Sequence, residues 1–409
     1  MSGLIGHINY PWELYNLTFN DIRTIIVDVV SGNIKNATEK IDGHNLYISV
    51  INGEVCSARN KNDVFNNGMN ENNLNLKFKD YNENVKDTFI YGFNVIKNFI
   101  DNNLSNSVKD NLFKNGNIWY PVEITYKKNP NVIHYDNNNI IFHSHGIFDK
   151  ANAKFIYNDI LNNYLKNSLE LQKFNISHSK HITLKNMGIN SLNKFLSKLD
   201  NFMNENGLNY YNSLEEYIML SVAKNLVLYG VSMPENIRHG LIGKIIGKKD
   251  SLPLNFYKKR LSKDSKNKLK LFLKNSKNII ENIIWPIESL MNEISIKFLK
   301  EIDSMFIVEP KSEIERIKEY TNNLVNMIKN VEDKKVIKFI KKLDIDNISS
   351  VEGIVFLFKD NIIKLNGNFS SINFLKNFVD KNKISFVEEK NYLRECVKHI
   401  LNNNIKLLD

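Results

Sequence analysis

Lys40 is the residue of this chain whose setting most suggests nucleophilic chemistry. It stands in Thr38-Glu39-Lys40-Ile41-Asp42-Gly43 and is followed by two β-rich runs, His44 to Ile51 and Glu54 to Asn60, with Asn52-Gly53 between them. A lysine amine attacks well only when its surroundings favour the unprotonated form. A nearby glycine lets the backbone come close to a phosphate. Asn-Gly between β-rich runs predicts a hairpin, because both central residues of a type I′ turn need positive φ. That hairpin carries Lys40 at its entrance and Arg59 near its exit. Leu46, Ile48 and Val50 fall on one face, and Tyr47, Ser49 and Ile51 on the other.

The flanking elements follow from periodicity. Phe19 to Val30 predicts a helix leading into the hairpin, and Val85 to Leu104 another, with Phe89, Phe93, Ile96 and Ile100 at helical spacing. Asn60 to Asn75 is a polar stretch, with Asn66-Asn67-Gly68 as a turn. Asn117 to Tyr126 predicts a strand containing Glu123, with Pro121 marking an edge or a bulge. Short strands are expected at Val132 to Tyr135, at Asn139 to Ser144, which contains Phe142, and at Ile182 to Lys185. His143, His145, His178 and His181 have no cysteine or carboxylate at ligand spacing, so zinc is not expected.

From Ser191 the texture becomes helical. Ser191 to Glu205, Ser213 to Tyr229, Lys266 to Ile283, Pro286 to Met305 and Ser312 to Val331 all show amphipathic spacing. Gly243-Lys244-Ile245-Ile246-Gly247-Lys248-Lys249 is not a phosphate loop, since its glycines are too close and no Ser or Thr follows Lys248. Lysines crowd Lys244 to Lys277 together with Arg260, Phe256, Tyr257 and Phe272. Basic residues among aromatics suit a nucleic-acid surface, with Lys258, Lys259 and Arg260 as its candidates; a solvated basic helix face accounts for the same pattern.

The 409 residues carry a formal net charge of +10, which favours an anionic partner without specifying a fold. Two cysteines cannot build a disulfide framework. No signal peptide is expected at the N-terminus, and no run of about 18 apolar residues predicts a membrane span. The expectation is an intracellular, cytoplasmic protein. Heavy use of Asn, Lys and Ile is what an AT-rich genome, such as that of a phage or a low-GC bacterium, would produce.

Near the end, Ser350-Val351-Glu352-Gly353-Ile354-Val355 precedes Asn361-Ile362-Ile363-Lys364-Leu365-Asn366. Together with Lys40-Ile41-Asp42-Gly43, these segments resemble the ordered motifs of the covalent nucleotidyltransferases: ATP-dependent RNA and DNA ligases and mRNA capping enzymes. The resemblance covers about residues 30–150 and 345–370. It implies an α+β fold, an antiparallel-sheet, ATP-grasp-like ligase core. A helical domain, 191–345, would be inserted between core segments 1–190 and 346–409.

The resemblance also implies the chemistry. Lys40 would attack the α-phosphorus of ATP, with Mg²⁺ as cofactor, to form a lysyl-AMP. Glu352 would orient the lysine or hold the metal, and Lys364 and Arg59 would contact phosphates. Lys364 and Mg²⁺ would favour the neutral Lys40 amine. Glu123 would contact the ribose, Phe142 would stack on the purine, and the backbone at Glu39 would lie near it. AMP would then pass to a 5′-phosphate, from which a 3′-hydroxyl displaces it. The chain departs from the family at Asn366, where a second lysine is usual, and has too little sequence after Lys364 for an OB domain. RNA-ligase-like phage proteins are therefore the nearest match, with RNA as the expected partner. Alternatives are DNA nick sealing, GTP-dependent capping, adenylylation of another acceptor, and a non-catalytic nucleic-acid-binding module.

Overall fold

A computed structural model describes residues 8–302 and 352–366, except 35, 130–134, 136, 144–145, 157–163, 165–173, 180, 249 and 360. The chain is α+β, and its strands pair mostly antiparallel. In chain order the described elements begin with α1 (Phe19–Ser31), β1 (Thr38–Lys40), β2 (His44–Ile51), β3 (Glu54–Ala58), α2 (Lys61–Phe65) and α3 (Glu71–Lys77). Next come α4 (Glu83–Asn103), α5 (Asn106–Phe113), β4 (Ile118–Thr125), β5 (Asn139–Phe142), β6 (Ile147–Asp149), β7 (Lys154–Ile156) and β8 (Ile176–His178). Helices α6 (Ile189–Glu205), α7 (Leu214–Leu228), α8 (Glu235–Ile245), α9 (Leu254–Lys258) and α10 (Lys263–Ile302) follow. The described chain closes with β9 (Gly353–Phe358) and β10 (Asn361–Leu365).

Two compact units result. One contains Ile34–Lys185 and the described residues from Ser295 onward; the other contains Asn9–Asn33 and Asn186–Ile294. Helix α1 belongs to the helical unit, although the sequence groups it with 1–190. Its buried Phe19 sets the reason: the ring meets Phe202 of α6 at 6.0 Å and Tyr217 of α7 at 6.2 Å. The helix is closed by a capping box between Thr18 and Asp21 and by Gly32 in the left-handed conformation.

The sheet unit contains two sheets. The larger has the order β3-β2-β4-β5-β8, with β6 also pairing β4 and β7 pairing β6; β5 and β8 run parallel. The β2–β3 hairpin turns through Asn52 at φ 50° and Gly53 at φ 82°, as Asn-Gly predicts. Leu46, Ile48, Val122, Ile124 and Phe142 pack with Phe89, Phe93 and Ile96 of α4 in one core. Gly92 makes that approach possible, since a Cβ there would lie 2.3 Å from Ile124 Cδ1. The opposite face is covered too, by Tyr47, Ala58, Val64, Trp119 and Phe148. The smaller sheet has the order β1-β9-β10, all antiparallel.

The polar stretch from Asn60 carries α2 and the start of α3, whose Asn60 and Asn70 side chains cap the first turns by accepting from Asp63 N–H and Asn73 N–H. Between them the chain turns at Asn66-Asn67-Gly68, with Asn67 at φ 63° and Gly68 at φ 71°. Several local expectations change. Pro121 sits in an interior strand, where β4 exchanges β5 for β6 as its neighbour. Its carbonyl accepts from His143 N–H at 3.2 Å on that side, so its missing N–H falls at the break in the ladder. Ile182–Lys185 is not a strand; Ile182 N–H simply donates to Ala37 O at 2.8 Å. The two helices expected around Pro286 form one, α10, because a helix can carry an internal proline at the loss of one backbone bond. Tyr135 is described outside any strand; residues 132–134 and the helix expected at 312–331 lie outside the described residues.

Candidate active site on the three-stranded sheet

Strand β1 pairs with β9 so that Thr38 faces Val355, Glu39 faces Ile354 and Lys40 faces Gly353. On the other edge of β9, Lys364 faces Val355 and Leu365 faces Ile354. Because strand side chains alternate, Thr38, Lys40 and Lys364 share one face of this sheet, and Glu39 lies on the other. Segments from opposite ends of the sequence thus place two lysines on one small surface.

Lys40 Nζ reaches Glu352 Oε1 at 2.6 Å, with side chains only 17% and 9% exposed. Burial, the largest influence, pushes the Lys40 amine down, but Glu352, Glu123 and Asp42 together raise it above its ordinary value. Without nucleotide or Mg²⁺, the carboxylates around Lys40 favour its charged form. Lys364 and Glu39 are both buried.

Gly353 explains why the motif needs a glycine. Its φ of +148° is strained for any L side chain, and a Cβ there would lie 2.3 Å from Leu365 O and 2.6 Å from both Cα and Cβ of Asn366. Asn366 is 4% exposed. Its Oδ1 has no hydrogen-bond partner among the described residues.

Glu123 lies on the face of the larger sheet opposite α4, paired with Asn45 and Ile141. Glu123 Oε1 is 3.4 Å from His143 Nε2. Glu123 Oε2 and Asn45 Oδ1 are buried with no partner among the described residues. Gly43 closes against this carboxylate, since a Cβ would sit 3.1 Å from Glu123 Oε2. Behind Lys40, Asp42 N–H donates to Tyr135 Oη at 3.1 Å. Burial, reinforced by Asp42, Glu39 and Glu352, pushes the Tyr135 phenol well above its ordinary value.

Phe142 and Arg59 make their ring contacts toward α4. Phe142 is 3% exposed and packs in the α4-side core, on the face of the sheet opposite Glu123. A β5 phenylalanine paired with Val122 must share the Val122 face, so it is core and has no free face for a purine. Arg59 also turns toward α4. Its guanidinium lies over Phe89 at 4.5 Å and donates to the Asn45 carbonyl. Burial lowers its pKa, against the pull of Glu123.

In the helical unit, Lys259 and Arg260 are exposed and Lys258 is half-buried. Arg260 stacks on Phe256 at 3.5 Å. Tyr257 and Phe272, expected among the surface aromatics, are core residues, which leaves Phe256 as the exposed ring of that set. Sequence reasoning missed Asn45, Tyr135 and His143. Asn45 had a signal: it lies two residues beyond Gly43, on the face that β2 shares with the glycine.

Among the described residues, no group of three or more His, Cys, Asp or Glu could hold a metal ion, and no helix is long and apolar enough to cross a membrane. Compared with known proteins, the chain matches no family model and no curated sequence.

Proposed function

We propose that the protein is a covalent nucleotidyltransferase of the RNA-ligase kind, with Lys40 as nucleophile. The observation that carries this reading is the meeting of Lys40 with Glu352 at 2.6 Å, on a sheet whose third strand presents Lys364 to the same face. Those residues occupy the lysine, Glu-Gly and terminal-lysine motifs named above.

In the reaction, Lys40 first loses a proton. Its lone pair forms the N–P bond to the α-phosphorus of ATP, and the bond to the β-phosphate oxygen breaks, releasing pyrophosphate. The 5′-phosphate of a polynucleotide next attacks the α-phosphorus and returns the amine to Lys40. A 3′-hydroxyl then displaces AMP and joins the ends. Lys364, buried on the Lys40 face, would oppose charge developing on the phosphate. The unpartnered oxygens of Glu123 and Asn45 need donors, which nucleotide hydroxyl or amino groups supply.

Mg²⁺ is commonly held by one or two carboxylates plus substrate phosphates. Glu352 is the carboxylate available for it, and the ion would neutralise phosphate charge.

The raised Lys40 pKa and the neutral Asn366 favour a second reading, a nucleic-acid-binding module that does not transfer nucleotide. Incubation with labelled ATP or GTP and Mg²⁺ separates the two. The enzyme reading predicts acid-labile protein-bound label from ATP, abolished in a folded Lys40→Ala protein. It also predicts sealing of 5′-phosphorylated RNA. Label from GTP alone would indicate capping chemistry, sealing of nicked DNA alone a DNA ligase, and no label from either nucleotide the binding module.

A further inference from the structure

Asn366 stands where the resembling family usually has a second lysine, and the geometry gives it a different task. Leu365 pairs with Ile354, so Asn366 comes opposite Gly353, whose other neighbour is Lys40. The row across the sheet is Lys40, Gly353, Asn366. Two strand spacings separate the ends, about 10 Å between Cα atoms. Glycine puts no side chain in the middle of that row. A Cβ on Gly353 would lie 2.6 Å from Asn366 Cβ, so the asparagine side chain starts directly against the glycine, one strand away from Lys40. Its Oδ1 is buried and has no partner among the described residues. A buried carbonyl oxygen without a donor costs free energy, about 1–3 kcal/mol.

We infer that Asn366 is a positioning residue for the nucleophile: its Oδ1 accepts a hydrogen bond from the neutral Lys40 amine once that amine leaves Glu352. This rests on the lysyl-nucleotide reading above. A neutral amine has one lone pair and two N–H donors. If one N–H is held by Asn366, the lone pair can point at phosphorus only in a restricted set of directions, and misdirection of a reacting group by about 1 Å costs about 100-fold in rate. A lysine at 366 could not accept that bond, because an ammonium has no free lone pair. The single amide would thus replace a phosphate cation with an orienting acceptor.

Two measurements test this, and one needs no nucleotide. In a crystal structure of Glu352→Ala, Lys40 Nζ should move to hydrogen-bonding distance of Asn366 Oδ1, about 3 Å; Nζ directed away from Asn366 would overturn the inference. In single-turnover adenylation, Asn366→Leu should lower the maximal rate by about 100-fold and leave the ATP concentration at half-maximal rate unchanged. Asn366→Asp, which keeps the acceptor, should stay within about 10-fold of the parent and also controls for folding. Weakened ATP dependence with an unchanged maximal rate would make Asn366 a nucleotide contact and refute the positioning role. If the parent protein never takes label, the ligase reading fails by itself, and the Glu352→Ala structure still decides whether Asn366 receives the lysine.

Discussion

Replacing Glu352 with glutamine keeps the side chain's size and removes the charge facing Lys40. The pair is 2.6 Å apart, and its side chains are 17% and 9% exposed. At an effective dielectric near 20, unit charges at that distance attract by about 6 kcal/mol, much of it offset by desolvation of both groups. Removing one partner of a buried pair costs about 3–5 kcal/mol, because the other charge is left uncompensated. Lys40 keeps Glu123 and Asp42 nearby, so the loss should fall at the lower end, about 3 kcal/mol. Urea unfolding of parent and variant at pH 7 measures it. The pH dependence has a definite sign. A lysine whose folded pKa is raised stabilises fully below its unfolded value of 10.5 and loses that contribution as pH rises through the folded value. The gap between parent and variant should therefore be full at neutral pH, begin to shrink as pH passes the variant's lower folded value, and close only above the parent's folded value. In the variant the Lys40 titration should move down, since burial remains and its strongest carboxylate is gone. Equal stabilities at pH 7, or a gap that vanishes by about pH 8, would refute the argument.

Gly353→Ala should lose about 3 kcal/mol by urea unfolding, from backbone strain and the 2.3 Å approach to Leu365 O; a loss under about 1 kcal/mol would show that β9 relaxes freely. Phe142→Ala should lose about 3–5 kcal/mol as a core deletion, and after correction for folded fraction it should bind ATP as the parent does; weaker binding at intact stability would restore the stacking role. Neutralising Lys258, Lys259 and Arg260 together should flatten the log–log salt dependence of RNA binding by about two units, at roughly 0.7 per contact, with ATP labelling unchanged. An unaltered slope would leave α9 as a structural helix.

The local architecture was legible where short-range chemistry decides it. Asn52-Gly53 located the hairpin, and the Phe89, Phe93, Ile96 spacing located α4. The Lys40–Glu352 pair could be anticipated only through the ordered motifs, because no local pattern records that β1 joins β9 from the far end of the chain. Motif order alone does not fix the face that Phe142 or Arg59 occupies; that depends on register with Val122 and on α4 supplying Phe89. Tyr257 and Phe272 looked like surface aromatics because their strip is rich in lysine, but packing within the helical unit buries them. Asn366 was visible as a departure from the motif; its unpartnered oxygen and its place across Gly353 from Lys40 required the fold.

The claim that Lys40 is the nucleophile is tested most directly by peptide mapping. The protein is incubated with ATP and Mg²⁺, digested under non-acidic conditions and analysed by mass spectrometry. The account predicts one AMP on the peptide containing Lys40, its loss in acid, and its discharge when 5′-phosphorylated RNA is added before digestion. AMP on another residue, or an unmodified Lys40 peptide in a protein shown to bind ATP, would contradict it.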